Sequence, residues 1–66
     1  MKQTEMVLRH IELWGKITQR DAYHMGIYRL ASRVNDLRRE GVDIKTEMVE
    51  VTNADGSKSR VAVYSL

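Results

Sequence analysis

At Gly41 the hydrophobic period of the chain changes, and any fold must accommodate that change. Before Gly41, apolar residues recur every three or four positions, as along one face of a helix. After it they alternate, as on a half-buried strand. The four glycines, Gly15, Gly26, Gly41 and Gly56, stand between segments of constant period, where helix ends and tight turns fall. The chain has no proline, low-complexity stretch, internal repeat or linker.

The helical part divides into three. Met6, Val7, Ile11 and Trp14 share a face of a first helix from about Thr4 to Trp14, with Thr4 as its cap and Gly15 as its stop. Trp14, the only tryptophan, is expected to be substantially buried at a core position. Lys16-Ile17-Thr18 reads as a brief extended piece. Thr18-Gln19-Arg20-Asp21 then has the form of a capping box, opening a second helix that runs to about His24 or Met25 with Ala22 and Met25 inward. Gly26 breaks it and Ile27 follows. A third helix runs from Tyr28 to Glu40 on a narrow stripe of Leu30, Val34 and Leu37, closed by Gly41.

Beyond Gly41, Ile44, Thr46 and Met48 alternate with Lys45, Glu47 and Val49, and Ala62, Tyr64 and Leu66 with Val61, Val63 and Ser65. Asn53-Ala54-Asp55-Gly56 between them is a hairpin signal. A three-residue loop, Ala54 to Gly56, with Gly56 left-handed sets Met48, Thr46 and Ile44 opposite Ala62, Tyr64 and Leu66 on the core face. It also sets Glu50 opposite Arg60. The order is helix, short strand, helix, helix, strand, strand. It predicts an α+β winged helix-turn-helix, a single domain over residues 1–66.

Composition limits what such a chain can do. Sixty-six residues leave room for one small core, and the absence of cysteine removes disulfides and thiolate metal sites. No apolar run approaches the roughly 20 residues of a membrane span, and the first ten residues lack the apolar centre of a signal peptide. A soluble, cytoplasmic protein without membrane contact is expected. His10 and His24 fall on separate helices with no partner at ligand spacing, and neither a glycine-rich phosphate loop nor a nucleophile motif is present. Neither enzyme activity, cofactor nor metal is expected. Met6, Met25 and Met48 read as core filler.

The net charge of +2 decides little by itself; its placement decides more. At about 100° per residue, Tyr28, Ser32, Asn35, Asp36 and Arg39 point away from the apolar stripe, with Arg29 and Arg33 on one flank and Arg38 on the other. Arginine grips phosphates or pairs with guanine, asparagine pairs with adenine, and a small Ser32 allows close approach to base edges. The third helix is therefore read as a recognition helix for double-stranded DNA, through Tyr28, Arg29, Ser32, Arg33, Asn35 and Arg39. Thr18, Gln19 and Arg20 at the start of the second helix are candidate phosphate contacts, against plain capping for Thr18. Lys58 and Arg60 near the hairpin tip are candidate backbone or minor-groove contacts, against a simple pairing of Arg60 with Glu50.

The run GIYRLASRVNDLRREG from Gly26, then Ile44-Lys45-Thr46-Glu47-Met48, an Asn53-x-x-Gly56 turn and a last strand closing in Tyr64-x-Leu66, resembles the small phage-associated winged helix-turn-helix proteins. The resemblance covers about Met6 to Leu66. It implies DNA binding in a phage or prophage setting, inside a bacterial host cell, in regulation or as a recombination accessory factor. Ala22 and Gly26 have the four-residue spacing usual for the motif, whereas Leu30 and Val34 depart from the spacing of common repressors. The turn or the docking of the third helix is expected to differ accordingly.

A second reading uses the other face of the hairpin. Val49, Val51, Val61 and Val63 share it in this register, apolar where water is expected. That face suits a host or phage protein partner, or weak self-association and cooperative assembly on DNA.

Overall fold

The computed structural model describes residues 2–66, which form three helices and a three-stranded antiparallel sheet. In chain order these are α1 (Gln3–Trp14), β1 (Ile17–Thr18), α2 (Gln19–His24), α3 (Leu30–Arg39), β2 (Lys45–Thr52) and β3 (Lys58–Ser65). The sheet order is β1-β3-β2. The predicted α+β architecture is the observed one.

One apolar cluster holds the helices on the base of the sheet. Val7 and Ile11 from α1, Ile17 from β1, Ala22 from α2, Leu30, Val34 and Leu37 from α3, and Ile27 and Ile44 from the connections are all buried. Met6, Leu8, Met25, Val42 and Tyr64 pack around them. The α3 stripe is the one the periodicity predicts.

Helix ends follow their sequence signals except at two places. The capping box at α2 is complete: Thr18 Oγ1 accepts from the Asp21 N–H at 3.3 Å, and the Thr18 N–H donates to Asp21 Oδ2 at 3.0 Å. At the end of α3, Gly41 takes φ 95°; its N–H reaches the Arg38 carbonyl and the Val42 N–H reaches the Leu37 carbonyl, a Schellman closure. By contrast, α1 starts at Gln3 with Lys2 as its cap residue and no side-chain cap bond, so Thr4 lies inside the helix. Helix α3 starts at Leu30 rather than Tyr28, because Arg29 has the non-helical ψ of 64°.

The hairpin register is the predicted one: Thr46 faces Tyr64, Met48 faces Ala62 and Glu50 faces Arg60. Asn53 N–H donates to the Ser57 carbonyl at 2.7 Å, leaving Ala54 to Gly56 as the loop, with Gly56 at φ 88°. Hydrogen bonds from the Ser57 hydroxyl and N–H hold the Asp55 carboxyl below its ordinary pKa. What the pattern misjudges is how far the core extends. Met48, Thr46 and Leu66 are exposed, because strands about 26 Å long outrun the helical layer, and of the core-face residues Ile44 and Tyr64 at the base join the core. The molecule is accordingly elongated, 39 × 22 × 20 Å.

Trp14 also departs from expectation. It keeps the angular position of Val7 but lies in the last turn of α1, where the core has already ended. Ile17, returned by the turn at Gly15, occupies the buried position (0% exposed), and Trp14 is 72% exposed with its ring 6.3 Å from that of His10. Trp14→Ala should therefore lower stability by less than about 1 kcal/mol, whereas Leu30→Ala should cost about 2–5 kcal/mol. Urea unfolding followed by circular dichroism separates the two.

Candidate nucleic-acid interface

The α2–turn–α3 segment is held at three points. Gly26 takes φ 80° and redirects the chain out of α2, while the Ile27 N–H returns to the Ala22 carbonyl at 2.8 Å. Ile27 then anchors the turn in the core. The third point is Gln19. Its Nε2 donates to the Ile27 carbonyl at 3.2 Å and its Oε1 accepts from the Leu30 N–H at 3.4 Å. Helix α3 has no side-chain cap from Arg29. Gln19, eleven residues upstream, satisfies one of the N–H groups a helix start leaves open.

This arrangement distributes the predicted residues unequally. Gln19 is partly buried with both ends of its amide engaged inside the protein, and Thr18 is engaged in the capping box. Arg20 beside them is exposed. On α3, Asn35 and Arg39 are exposed and Ser32 is half-buried, as befits the face opposite Leu30, Val34 and Leu37. Tyr28 and Arg29 are exposed in the approach to the helix, and the Tyr28 ring lies 5.6 Å from that of Tyr23. Sequence reasoning passed over Tyr23 because it sits on α2; only the turn at Gly26 brings it beside Tyr28.

The four arginines of this segment separate into different roles. Arg38 donates from Nε and Nη2 to the Ile44 carbonyl at 3.1 and 2.7 Å, and from Nη2 to Thr46 Oγ1 at 2.8 Å, joining α3 to β2. Asp36 draws in two others, Arg33 at 3.3 Å and Arg39 at 3.6 Å. The Arg33 side chain is only 34% exposed and its Nε is buried without a partner, so it is tethered to the flank; the Arg39 side chain is 81% exposed and its ion pair is a weak surface one. Arg29 makes no ion pair among the described residues.

A cleft of about 620 Å³ separates the helices from the hairpin. Thr18, Gln19, Arg20 and Ala31 line one wall, with Arg60, Val61, Ala62 and Tyr64 on the other. It arises because β1 pairs only with Tyr64 and Val63, which leaves the outer edge of β3 beyond them uncovered. Arg20 and Arg60, far apart in sequence, thus face one cavity. Glu50 lies across from Arg60 but forms its ion pair with Lys58, at 3.4 Å, so Lys58 is the paired cation and Arg60 is left to the cleft. Ala31 was invisible to the sequence reading, being one more small residue on the helix flank.

A helix-turn-helix whose second helix presents a polar face, followed by a β-hairpin wing, defines a winged helix domain. A family model described as a winged helix-turn-helix domain matches residues 2–66, and the chain belongs to that family. Comparisons with curated proteins and with solved structures found no match. The family suggests DNA binding. No helix among the described residues is long and apolar enough to cross a membrane.

Gln19→Ala removes both ends of the brace at once. It should lower stability by about 1–3 kcal/mol, and the amide protons of Leu30 and its neighbours should exchange faster. Unchanged exchange at the start of α3 would show that the turn holds its shape without Gln19.

Proposed function

We propose that this protein binds double-stranded DNA sequence-specifically, with the outer face of α3 in the major groove and the phosphate backbone in the cleft between α2 and the hairpin. The observation that carries the reading is the convergence of Arg20 and Arg60 on one cleft beside a helix that exposes Asn35 and Arg39. Ser32 and Asn35 are the base-reading candidates, and Tyr28, Arg29, Arg39 and Arg20 grip the backbone or base edges. Arg33, once released from Asp36, adds to them from the flank, and Arg60 with Lys58 touches the backbone from the wing. Thr18 and Gln19 contribute by holding α2 and α3 in place. The work assigned is regulation or recombination accessory activity in a phage or prophage, the setting the sequence resemblance implies.

A second reading, a protein-interaction module acting through the outer hairpin face, is favoured by Val49, Val51 and Val61, each 36–37% exposed, of which Val51 and Val61 also border the cleft. The two readings differ in their response to salt. Displacing counterions from several phosphates makes log affinity fall steeply with log salt, whereas an apolar contact does not depend on it in this way.

Binding of labelled duplexes selected from a random pool, followed by anisotropy across a salt series, tests the proposal. Arg20→Ala, Arg39→Ala and Arg60→Ala should each weaken binding to all duplexes alike and reduce the salt slope by about one. Asn35→Ala should instead cost about 1–3 kcal/mol on the preferred site and relax its sequence. Affinity indifferent to salt, or to all four changes, would overturn the assignment of α3 and the cleft.

A further inference from the structure

The most exposed large apolar side chains among the described residues are not the hairpin valines but Leu13, 71% exposed, and Trp14 beside it. They end α1, whose inner face of Val7 and Ile11 is buried. On its outer side α1 carries two shallow grooves. One, about 310 Å³, is lined by Glu5, Leu8, Arg9 and Glu12; the other, about 240 Å³, is lined by Met6, Arg9, His10, Leu13, Trp14 and Met25. Arg9 borders both, so Arg9 and Leu13, one helical turn apart, form the ridge between them.

We infer that this surface of α1 pairs with the same surface of a second copy, the two helices running antiparallel. Charge complementarity in a single register favours this pairing. Setting Arg9 against Glu12 of the other copy brings Leu13 level with Leu8, and leaves Lys16, beyond the Gly15 turn, at the end of the contact that carries Glu5. The two pairs within the helix share one constant sum of residue numbers, the condition for antiparallel alignment, and two-fold symmetry makes each of them twice. The Arg9–Leu13 ridge of each copy then enters the Glu5–Leu8–Glu12 groove of the other. Arg9 meets Glu12 and Leu13 meets Leu8, with no like charges opposed at these levels. Glu5, Arg9, Glu12 and Leu13 are all exposed and Leu8 is half-buried at the base of the groove.

A contact one twelve-residue helix long falls at the small end of specific interfaces, below about 1,200 Å². The dimer is therefore weak and reversible. It leaves the proposed DNA face free, because α3 packs on α1 through the side opposite its outer face. The inference does not rest on the DNA reading and is tested without DNA.

Sedimentation equilibrium of the full chain should show a monomer–dimer equilibrium. Two charge variants test the register: an acidic one, Arg9→Glu with Lys16→Glu, and a basic one, Glu5→Lys with Glu12→Arg. Each alone should be monomeric, and a one-to-one mixture should dimerise again, since every reversed charge then meets its opposite. Leu13→Ser, at a side chain with no part in the core, should weaken association at least about tenfold with unchanged circular dichroism. A wild-type chain that stays monomeric to about 1 mM, charge variants that dimerise as the wild type does, or a mixture of folded variants that stays monomeric would each overturn the proposal. So would loss of the dimer on Val49→Thr with Val61→Thr but not on Leu13→Ser, which places the contact on the hairpin. Failure of duplex binding leaves these results untouched.

Discussion

The start of α3 is braced by a side-chain amide on the rim of the core that packs the helix. Gln19 opens α2, yet it bonds to the carbonyl of Ile27 in the turn and to the first N–H of α3. A glutamine reaches that far because α2 is only six residues long and Gly26 folds the chain back at once. The capping box fixes where α2 starts, and so where Gln19 stands. Its Asp21 also approaches His10 Nε2 at 3.8 Å, linking the same end of α2 to α1. The outer α3 face is thus oriented by the buried stripe of Leu30, Val34 and Leu37, with a short chain of polar contacts fixing the helix start at the rim of the core. Each such bond is worth only about 1 kcal/mol net, which in a domain with one small core is a large share of the total.

The hairpin solves a different problem. With one short strand beside it at the base, most of β2–β3 stands clear of the helices, and its stability has to come from cross-strand pairs and its turn. Asn53 supplies part of this: its side chain donates to the hydroxyls of Ser57 at 3.0 Å and Ser59 at 2.8 Å. At the other end Arg38 ties the Ile44 carbonyl and Thr46 to α3. An arginine that a sequence reading counts among the outward charges of a recognition helix is in fact the strut between helix and wing. The wing therefore reaches outward from a base tied to α3.

Charge that is uniform on a helical wheel is not uniform in function. Arg38 is engaged internally, Arg33 is half-buried against Asp36, Arg39 extends into solvent, and Arg29 stands at the start of the helix. A modest net charge of +2 is compatible with nucleic-acid binding when the free cations converge in this way. The apolar surface is likewise divided: three valines at the edge of exposure on the hairpin, and the more exposed Leu13 and Trp14 on α1.

Local periodicity and local turn chemistry determined most of the fold. The stripe of Leu30, Val34 and Leu37, the capping box at Thr18, the Gly41 closure and the hairpin register through Glu50 and Arg60 depend on residues close in sequence or paired across one turn, and they stand as the sequence predicts. Of the candidate site, the outward face of α3 was legible for the same reason. The roles of Gln19, Arg38, Ala31 and Tyr23 were not, since each acquires its partner only when the turn at Gly26 and the return of β3 bring distant segments together. Nor could periodicity show where the core stops. Trp14 and Met48 lie on the correct faces of their elements but beyond the layer that would cover them, and burial is set by what packs above a residue, which only the tertiary structure decides.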